Sequence, residues 1–330
     1  MELMDGRVVL VTGSTDGIGK ATALQLARKG ATVLLHGRNR QKGLAVLEDM
    51  RRITGSDHLH LYIANLSSLG QVRRLAAQIQ EYHDRLHGDL TDMTLTIRRP
   101  ESIYRAQGYI QNGTFSGRWH FSFADYYDAK FVSFGALRVF NDDTLSPGAV
   151  WPLHPHREIE VVTYCAEGEF KHADEQGEGG ILKKGWVQHT TVGRGMQHSE
   201  INNRTDLPMR FIQMWFLPTV SELEPSAQQM EVEISQRTNR LLPLISNSHP
   251  GALTIFSQAR VFSCFLKAGN SLTKMLEANW GTYLYLLEGG PVEVNDLALS
   301  VHGAAMIRDR ETIDIAGRED TEILLVDVML

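Results

Sequence analysis

Four residues in this chain have types and spacings that could do chemistry together: His154, His156, His198 and Glu200. His154-Pro155-His156 sets two imidazoles at i and i+2, and His198-Ser199-Glu200 does the same with an imidazole and a carboxylate. On a β-strand, residues i and i+2 point to one side. Two adjacent strands, each carrying such a pair, bring four side chains to one point. Three neutral imidazoles and one carboxylate suit Fe(II) and other first-row divalent metals. Such a set leaves coordination positions open for a substrate or O2, so the pattern points to catalysis more than to scaffolding. Single histidines satisfied in a β-rich core are common; paired spacing on two strands is not.

The elements that must position this set read as short strands. Runs at 130–134, 136–140, 158–164, 168–172, 180–183 and 209–216 form one group, and runs at 253–256, 261–265, 282–288, 292–294, 304–307 and 322–328 form another. Many short strands separated by turn signals predict a sandwich or barrel. The two groups have similar layouts, which predicts two tandem barrels, 93–225 with the metal site and 226–330 without metal. The polar segment 218–227 links them, and Asn247-Ser248-His249-Pro250 precedes the second barrel. That barrel has no H-x-H or H-x-E pattern, and His302 is its one histidine after Pro250.

Residues 1–88 have a different grammar. Val8 to Val11 is an apolar run ending in Thr12-Gly13, followed by Gly17 and Gly19 and a periodic apolar segment capped near Gly30. A strand over 31–36, a helix over 44–53, a strand over 58–66 and a helix capped by Ser67 and running to about Tyr82 complete a β-α-β-α-β-α order. Glycines of this kind let the backbone approach a pyrophosphate at a helix N-terminus. Over residues 5–87 the segment resembles the short-chain dehydrogenase/reductase family. The resemblance implies dinucleotide contacts at Gly13, Ser14, Thr15, Gly17, Ile18 and Gly19, with Arg38 favouring NADP over NAD, and Asn65-Leu66 at the adenine. It stops at Leu86-His87-Gly88, before the half-fold that would supply the nicotinamide site and a catalytic Tyr-x-x-x-Lys. Tyr126 to Lys130 matches that pattern formally but falls outside any evident helix, and Asn202-Asn203 follows the metal motif directly; both are decoys. His58 and His60 read as one face of an alternating strand.

From Met93-Thr94-Leu95 to the end, the chain resembles the pirin family. The matching segments include Phe121-Ser122-Phe123-Ala124-Asp125-Tyr126-Tyr127, Leu137-Arg138-Val139, His154-Pro155-His156-Arg157, Glu167-Gly168 and the run from Gly193 through His198 to Glu200. The resemblance implies a mainly β fold of tandem cupin barrels (a bicupin) behind a truncated α/β Rossmann-like segment. It implies metal ligation by His154, His156, His198 and Glu200, and one Fe(II) or other divalent metal per chain. The implied activity is that of a quercetin 2,3-dioxygenase: a flavonol and O2 react, the heterocycle opens and carbon monoxide leaves. Glu200, the one carboxylate of the set, is the candidate catalytic group for the flavonol proton. The competing class is a redox-sensing regulatory module with a protein partner, and the third is an NADP-binding reductase remnant. Two positions depart from the family pattern. Lys184-Gly185-Trp186 replaces a Pro-Gly-Asp turn, where Gly185 keeps the backbone permissive, and His189 reads as a pocket-wall or barrel residue. Phe123, Trp186 and Met196 are candidate apolar walls.

Charge and composition narrow the classes further. The first 92 residues carry 12 basic and 10 acidic side chains; the remainder carries 21 and 29. An acidic main body argues against a nucleic-acid surface. The two cysteines, Cys165 and Cys264, imply no disulfide framework. With no signal peptide or membrane span in the pattern, a cytoplasmic location is expected.

Overall fold

The structure, a computed structural model, describes residues 4, 6–66, 68–83, 95–175, 179–308 and 310–330, with Ile18 and Leu69 described by their backbone alone. The chain divides into two compact units, Met1–Met93 and Thr94–Leu330. The expected helix cap Ser67, the segment 86–88 and the junction Met93-Thr94 lie outside the described residues.

The first unit is built in the expected order. Strands β1 (Val8–Val11), β2 (Thr32–Gly37) and β3 (Leu59–Ile63) alternate with helices α1 (Gly17–Arg28), α2 (Arg40–Thr54) and α3 (Leu69–Tyr82). The strands pair in parallel, in the order β1-β2-β3. Helix α2 starts four residues before the apolar pattern does. Asn39 caps it, its side chain accepting the Lys42 N–H, and a cap satisfies an amide that the helix itself leaves orphaned. One core of Ala23, Ala27, Val33, Leu35, Val46 and Met50 lies where α1 and α2 cover the sheet.

The second unit is four sheets. Its strands are β4 (Leu95–Arg98), β5 (Tyr104–Ile110), β6 (Gly113–Trp119), β7 (Leu137–Leu145), β8 (Val150–His156), β9 (Glu160–Glu167), β10 (Glu169–Asp174), β11 (Ile181–Lys183), β12 (Val187–Thr191), β13 (Met196–Asn202), β14 (Met209–Phe216) and β15 (Ser226–Met230). After a helical turn at Ile234–Arg237 come β16 (Leu242–Ser246), β17 (Ala259–Leu266), β18 (Ser271–Met275), β19 (Trp280–Gly289), β20 (Val292–Val294), β21 (Leu297–Leu299), β22 (Ala304–Ile307), β23 (Thr312–Gly317) and β24 (Thr321–Met329). The first barrel combines the sheet β15-β12-β9-β14-β7-β6-β5 with β11-β10-β13-β8. The second combines β16-β17-β24-β19-β22-β4 with β18-β23-β20-β21.

The largely apolar runs have a simple origin. Along β14, Met209 and Phe211 turn into their own barrel, while Ile212, Met214 and Phe216 join a core shared by both barrels. Along β24, Ile323 and Leu325 fill the second barrel, and Leu324, Val326 and Val328 face the shared core. Along these central strands both faces are largely buried, so the period-2 alternation of side chains is mostly hidden.

Strand sharing cuts across a boundary at 225/226. β4, from the start of this unit, pairs with β22 of the second barrel, and β15 pairs with β12 of the first. Two expected strands are loops. Residues 130–134 anchor Phe134 in the shared core by a tight reciprocal pair of hydrogen bonds with Leu137. Residues 253–256 bury Ile255 and contribute a single bridge, Leu253 to Ile245. Their apolar side chains serve burial, not pairing, and composition alone does not separate the two.

Candidate functional site

β8 and β13 lie side by side in the small sheet of the first barrel, with His198 directly opposite His154 and Met196 opposite His156. Cross-strand partners share a face, so the two paired motifs converge as their spacing predicts. A register shift between His198 and Glu200 sets Glu200 opposite Trp151. The ligand-type nitrogens of His154, His156 and His198 lie within 4.8 Å of one another. Glu200 adjoins this trio: its Oε1 is 3.6 Å from His198 Nε2, beyond hydrogen-bonding reach, and accepts a hydrogen bond from Gln213 Nε2 at 2.5 Å. Gln213 is in turn fixed by Trp215, whose indole N–H donates to Gln213 Oε1 at 2.9 Å. Gln213 and Trp215 continue the odd-numbered face of β14 that carries Met209 and Phe211 into the barrel. No motif in the chain marks this clamp.

The imidazoles are prepared as lone-pair donors. His154 Nδ1 lies 2.7 Å from the Pro152 carbonyl. A carbonyl only accepts, so Nδ1 carries the proton and Nε2 is bare. Burial, then the nearby His198 and His154, pushes His156 down to about 4. Burial, then His172 and His154, pushes His198 down to about 3. Both rings are neutral near pH 7. The Nε2 atoms of both are buried without a hydrogen-bond partner, a costly arrangement in a dry interior that a bound cation would relieve.

A cavity of about 90 Å³ opens beside the trio. Phe123, Trp151, Phe211 and Trp215 wall it, and Asn141 and Asp143 bring polar groups to it from β7. Phe123 was the one expected wall residue to be found there. Met196 lines a different cleft, and Trp186 packs on the Leu182–Phe211 core inside the barrel with Lys183 over its ring; proximity in sequence to a ligand motif does not fix the face a residue presents. Asp143 is buried, and burial pushes its carboxyl well above the usual range, with Asp142 and Glu200 adding to the rise against the Trp119 N–H bond. Room for this carboxylate comes from Gly117, where a Cβ would sit 1.8 Å from Asp143 Oδ1. A further histidine, His172 on β10, puts its Nε2 3.2 Å from His198 Nδ1. Sequence reasoning passed over it, although His172-Ala173-Asp174 repeats the i, i+2 spacing of the ligand pairs.

His189 is a barrel residue. It is fully buried, 3.2 Å from Glu160 Oε1 without hydrogen-bond alignment, and Glu160 accepts from Phe256 N–H and Ser257 O–H. Gly185 has φ +87° at its turn, a conformation few side chains tolerate. Tyr126 stacks on Tyr104 at 4.2 Å, in a loop rather than a helix.

In the first unit, Gly13 (φ +65°) and Gly17 (φ +50°) form the turn between β1 and α1, and Gly19 packs where a Cβ would meet Gly13 O at 2.5 Å. Ser14 is buried, its hydroxyl accepting the His36 N–H, and Thr15 packs against Gly37. Asp16 caps α1 and pairs with Lys42. Arg38 is exposed just beyond β2. Parallel pairing puts the ends of β1 and β2 at one edge, so these residues share the loop edge where such sheets bind ligands. His60 of the expected strand face meets His83 edge-on at 5.5 Å.

The buried histidines carry a pH signature. Burial holds His120, His156, His198 and His302 below the usual value, His302 at about 4, with neighbouring cations adding to it at His120 and His302. In the unfolded chain each titrates near about 6.5. Below that pH the unfolded state takes up protons that the folded state refuses. The stability they allow is complete above about 6.5 and is lost as pH falls toward about 4. Asp143, shifted upward, acts in the opposite sense, and His172, lowered by burial, adds to the histidines' side. A urea midpoint for the metal-free protein that drops between about pH 7.5 and 5 is the expected result; a flat or rising midpoint contradicts it.

A paired-histidine site on the small sheet of one of two packed β-barrels defines a bicupin. Family comparisons agree. Residues 103–216 match the Pirin model, and residues 244–328 match the quercetinase C-terminal cupin domain. A Pseudomonas aeruginosa protein provisionally named quercetin 2,3-dioxygenase is 36% identical over 70% of this chain and 98% of its own length. A pirin-like protein of Caulobacter vibrioides is 36% identical over 67% of this chain and 95% of its own. The chain belongs to the pirin family. The crystal structure of the bacterial pirin YhhW from Escherichia coli in complex with nickel(II) superposes with a TM-score of 0.66 at 26% identity, covering 71% of this chain and 99% of that one. Residues 7–89 match the short chain dehydrogenase model, so a short segment of that kind precedes the bicupin. Among the described residues no helix is long and apolar enough to cross a membrane.

Proposed function

We propose that this protein is a metal-dependent flavonol oxygenase of the quercetin 2,3-dioxygenase type, using Fe(II) or another first-row divalent ion held by His154, His156, His198 and Glu200. The observation that carries the reading is the trio of imidazole nitrogens within 4.8 Å, two of them buried and unpartnered, beside an aromatic-walled cavity that His154, His156 and Glu200 help to line. The nickel(II) complex of the YhhW pirin and the quercetin 2,3-dioxygenase names of the relatives support it. A divalent cation held by these residues would supply Lewis acidity and exchangeable coordination positions.

The chain's own residues do the rest. His156 and His198, kept neutral near pH 7 by burial, present lone pairs, and His154 turns its Nε2 from the Pro152 carbonyl that Nδ1 faces. Glu200, steadied by Gln213, is placed to accept the proton of the flavonol 3-hydroxyl. Asp143, whose carboxyl burial pushes well above the usual range, brings a polar group to the cavity beside the aromatic walls. Phe123 and Trp215 meet edge-to-face at 5.2 Å and exclude water. About 90 Å³ is room for roughly three waters. The cavity as it stands takes the edge of one ring of a flavonol, and the other rings extend through its open mouth. The overall change adds both atoms of O2 to the flavonol and releases one carbon monoxide per turnover.

The test measures flavonol, O2 and carbon monoxide together for protein loaded with Fe(II), Ni(II) or Mn(II). Equal consumption of flavonol and O2, with an equal yield of carbon monoxide, is the expected result. Loss of the Glu200 base lowers a general-base step by about 100-fold or more, so Glu200→Gln should lower turnover per bound metal more than it lowers metal content. Equal rates per metal would confine Glu200 to ligation. No flavonol loss with any of the three ions would overturn the enzyme reading.

A further inference from the structure

We propose that His172 is a positioning residue that selects the metal-ready tautomer of His198, by accepting the proton of His198 Nδ1–H on its own Nε2. The inference rests on the metal reading above and deepens it.

β13 lies between β8 and β10. On one side His198 faces His154 of β8; on the other, Asp174 of β10 is its direct partner and His172 is the partner of Glu200. Cross-strand partners project to the same face, so His172 joins the ligand face from the strand that carries none of the ligands. The two rings lie at 82° with centroids 5.0 Å apart, and His172 Nε2 is 3.2 Å from His198 Nδ1. Both residues are almost wholly buried, His172 at 4% exposure and His198 at 2%.

Two bare nitrogens at that distance would set lone pair against lone pair, so a proton lies between them. A neutral imidazole has one N–H, and this leaves two arrangements. If the proton belongs to His172, His198 carries its own on Nε2, aimed toward Glu200 and the other imidazoles, where it blocks ligation. If it belongs to His198 Nδ1, Nε2 is bare and faces His154, His156 and Glu200. Only the second arrangement can hold a cation, and it requires an acceptor at the position of His172 Nε2. His172 then keeps its single proton on Nδ1. His154 reaches the same Nδ1–H state by a different device, the Pro152 carbonyl. The site thus uses a backbone acceptor on β8 and a side-chain acceptor on β10 for one purpose. Hydrogen-bond partners behind a ligand histidine orient the ring and raise its basicity.

Zn(II), which is diamagnetic, is the probe. Its affinity for the full-length protein, for His172→Gln and for His172→Leu is measured by competition with a chelator. The His198 imidazole nitrogens are followed by 15N NMR in the Zn(II)-loaded state. His172→Leu, which removes the acceptor, should weaken binding by about 10–100-fold and erase the slowly exchanging Nδ1–H signal of His198. His172→Gln, whose side-chain oxygen accepts, should recover most of the affinity and the signal; a merely space-filling role predicts no such recovery. Unchanged affinity in His172→Leu, or a proton found on His172 Nε2 in the loaded protein, overturns this inference alone. Failure of the unaltered protein to bind Zn(II) sinks the metal reading and takes this inference with it.

Discussion

Replacing His156 and His198 together by alanine is expected to abolish stable divalent-metal binding while leaving the barrels folded. Two of the three clustered imidazoles go, and the loss should exceed the about 10–100-fold that removal of an outer hydrogen-bond partner costs. The fold should survive because neither side chain holds a core together. Each has a buried Nε2 without a partner in the metal-free chain, and deleting an unsatisfied polar atom relieves a desolvation cost of about 1–3 kcal/mol. His198→Ala also strands the buried His172 Nε2, which loses its partner, so the two effects oppose each other and the metal-free double variant should unfold close to the metal-free parent at neutral pH. Metal content after Fe(II) or Ni(II) loading, together with melting of both metal-free proteins, checks the two arms. Full occupancy in the double variant would remove the site from β8 and β13 altogether.

The second large effect lies between the barrels. Asn141-Asp142-Asp143 alternates along β7: Asn141 and Asp143 reach the cavity, and Asp142 turns toward the second barrel. There Arg210 of β14 grips its carboxylate with two hydrogen bonds of 2.7 and 2.8 Å, Tyr285 of β19 donates a third at 2.5 Å, and Arg118 adds a fourth at 3.3 Å. Burial alone would raise the Asp142 carboxyl, but the Arg210 contacts outweigh it and hold the carboxyl below its usual value. Arg210 also reaches the Leu287 carbonyl of the second barrel. Arg210→Met keeps much of the volume and removes the charge, which leaves Asp142 ionised in the interior. Breaking one side of a buried pair costs about 3–5 kcal/mol, with Tyr285 and Arg118 keeping the loss toward the lower end. Removing both charges, as Asp142→Asn with Arg210→Met, should cost less than Arg210→Met alone. Urea unfolding at neutral pH measures it; a change under about 1 kcal/mol in the single variant would show that water reaches the pair.

Much of this could be read directly from the residues. The clustering of the paired motifs was legible because a strand repeats every two residues, so His154-x-His156 and His198-x-Glu200 declare their face without knowledge of the partner strand. The β-α-β-α-β-α order of the first unit was legible for a similar reason: its glycines and apolar periods are local signals. Strand β14 matched its expected span, Met209–Phe216, because six of its eight residues are apolar and both its faces are largely buried, with Arg210 and Gln213 its two polar members.

Other features depended on which strands became neighbours. The assignment of β4 to the second barrel and β15 to the first is a matter of long-range pairing, and neither segment carries a mark of its partner. Phe134 and Ile255 look like strand residues and are loop anchors, because burial in the shared core does not require a ladder. Gln213, Asp143 and His172 surround the ligand set from β14, β7 and β10, and their types are ordinary for buried strands. The spacing within a strand decides which side chains share a face, and that much is written in the chain. Which faces meet, and therefore which polar group stands behind His198 or beside Glu200, is decided only when the sheets close.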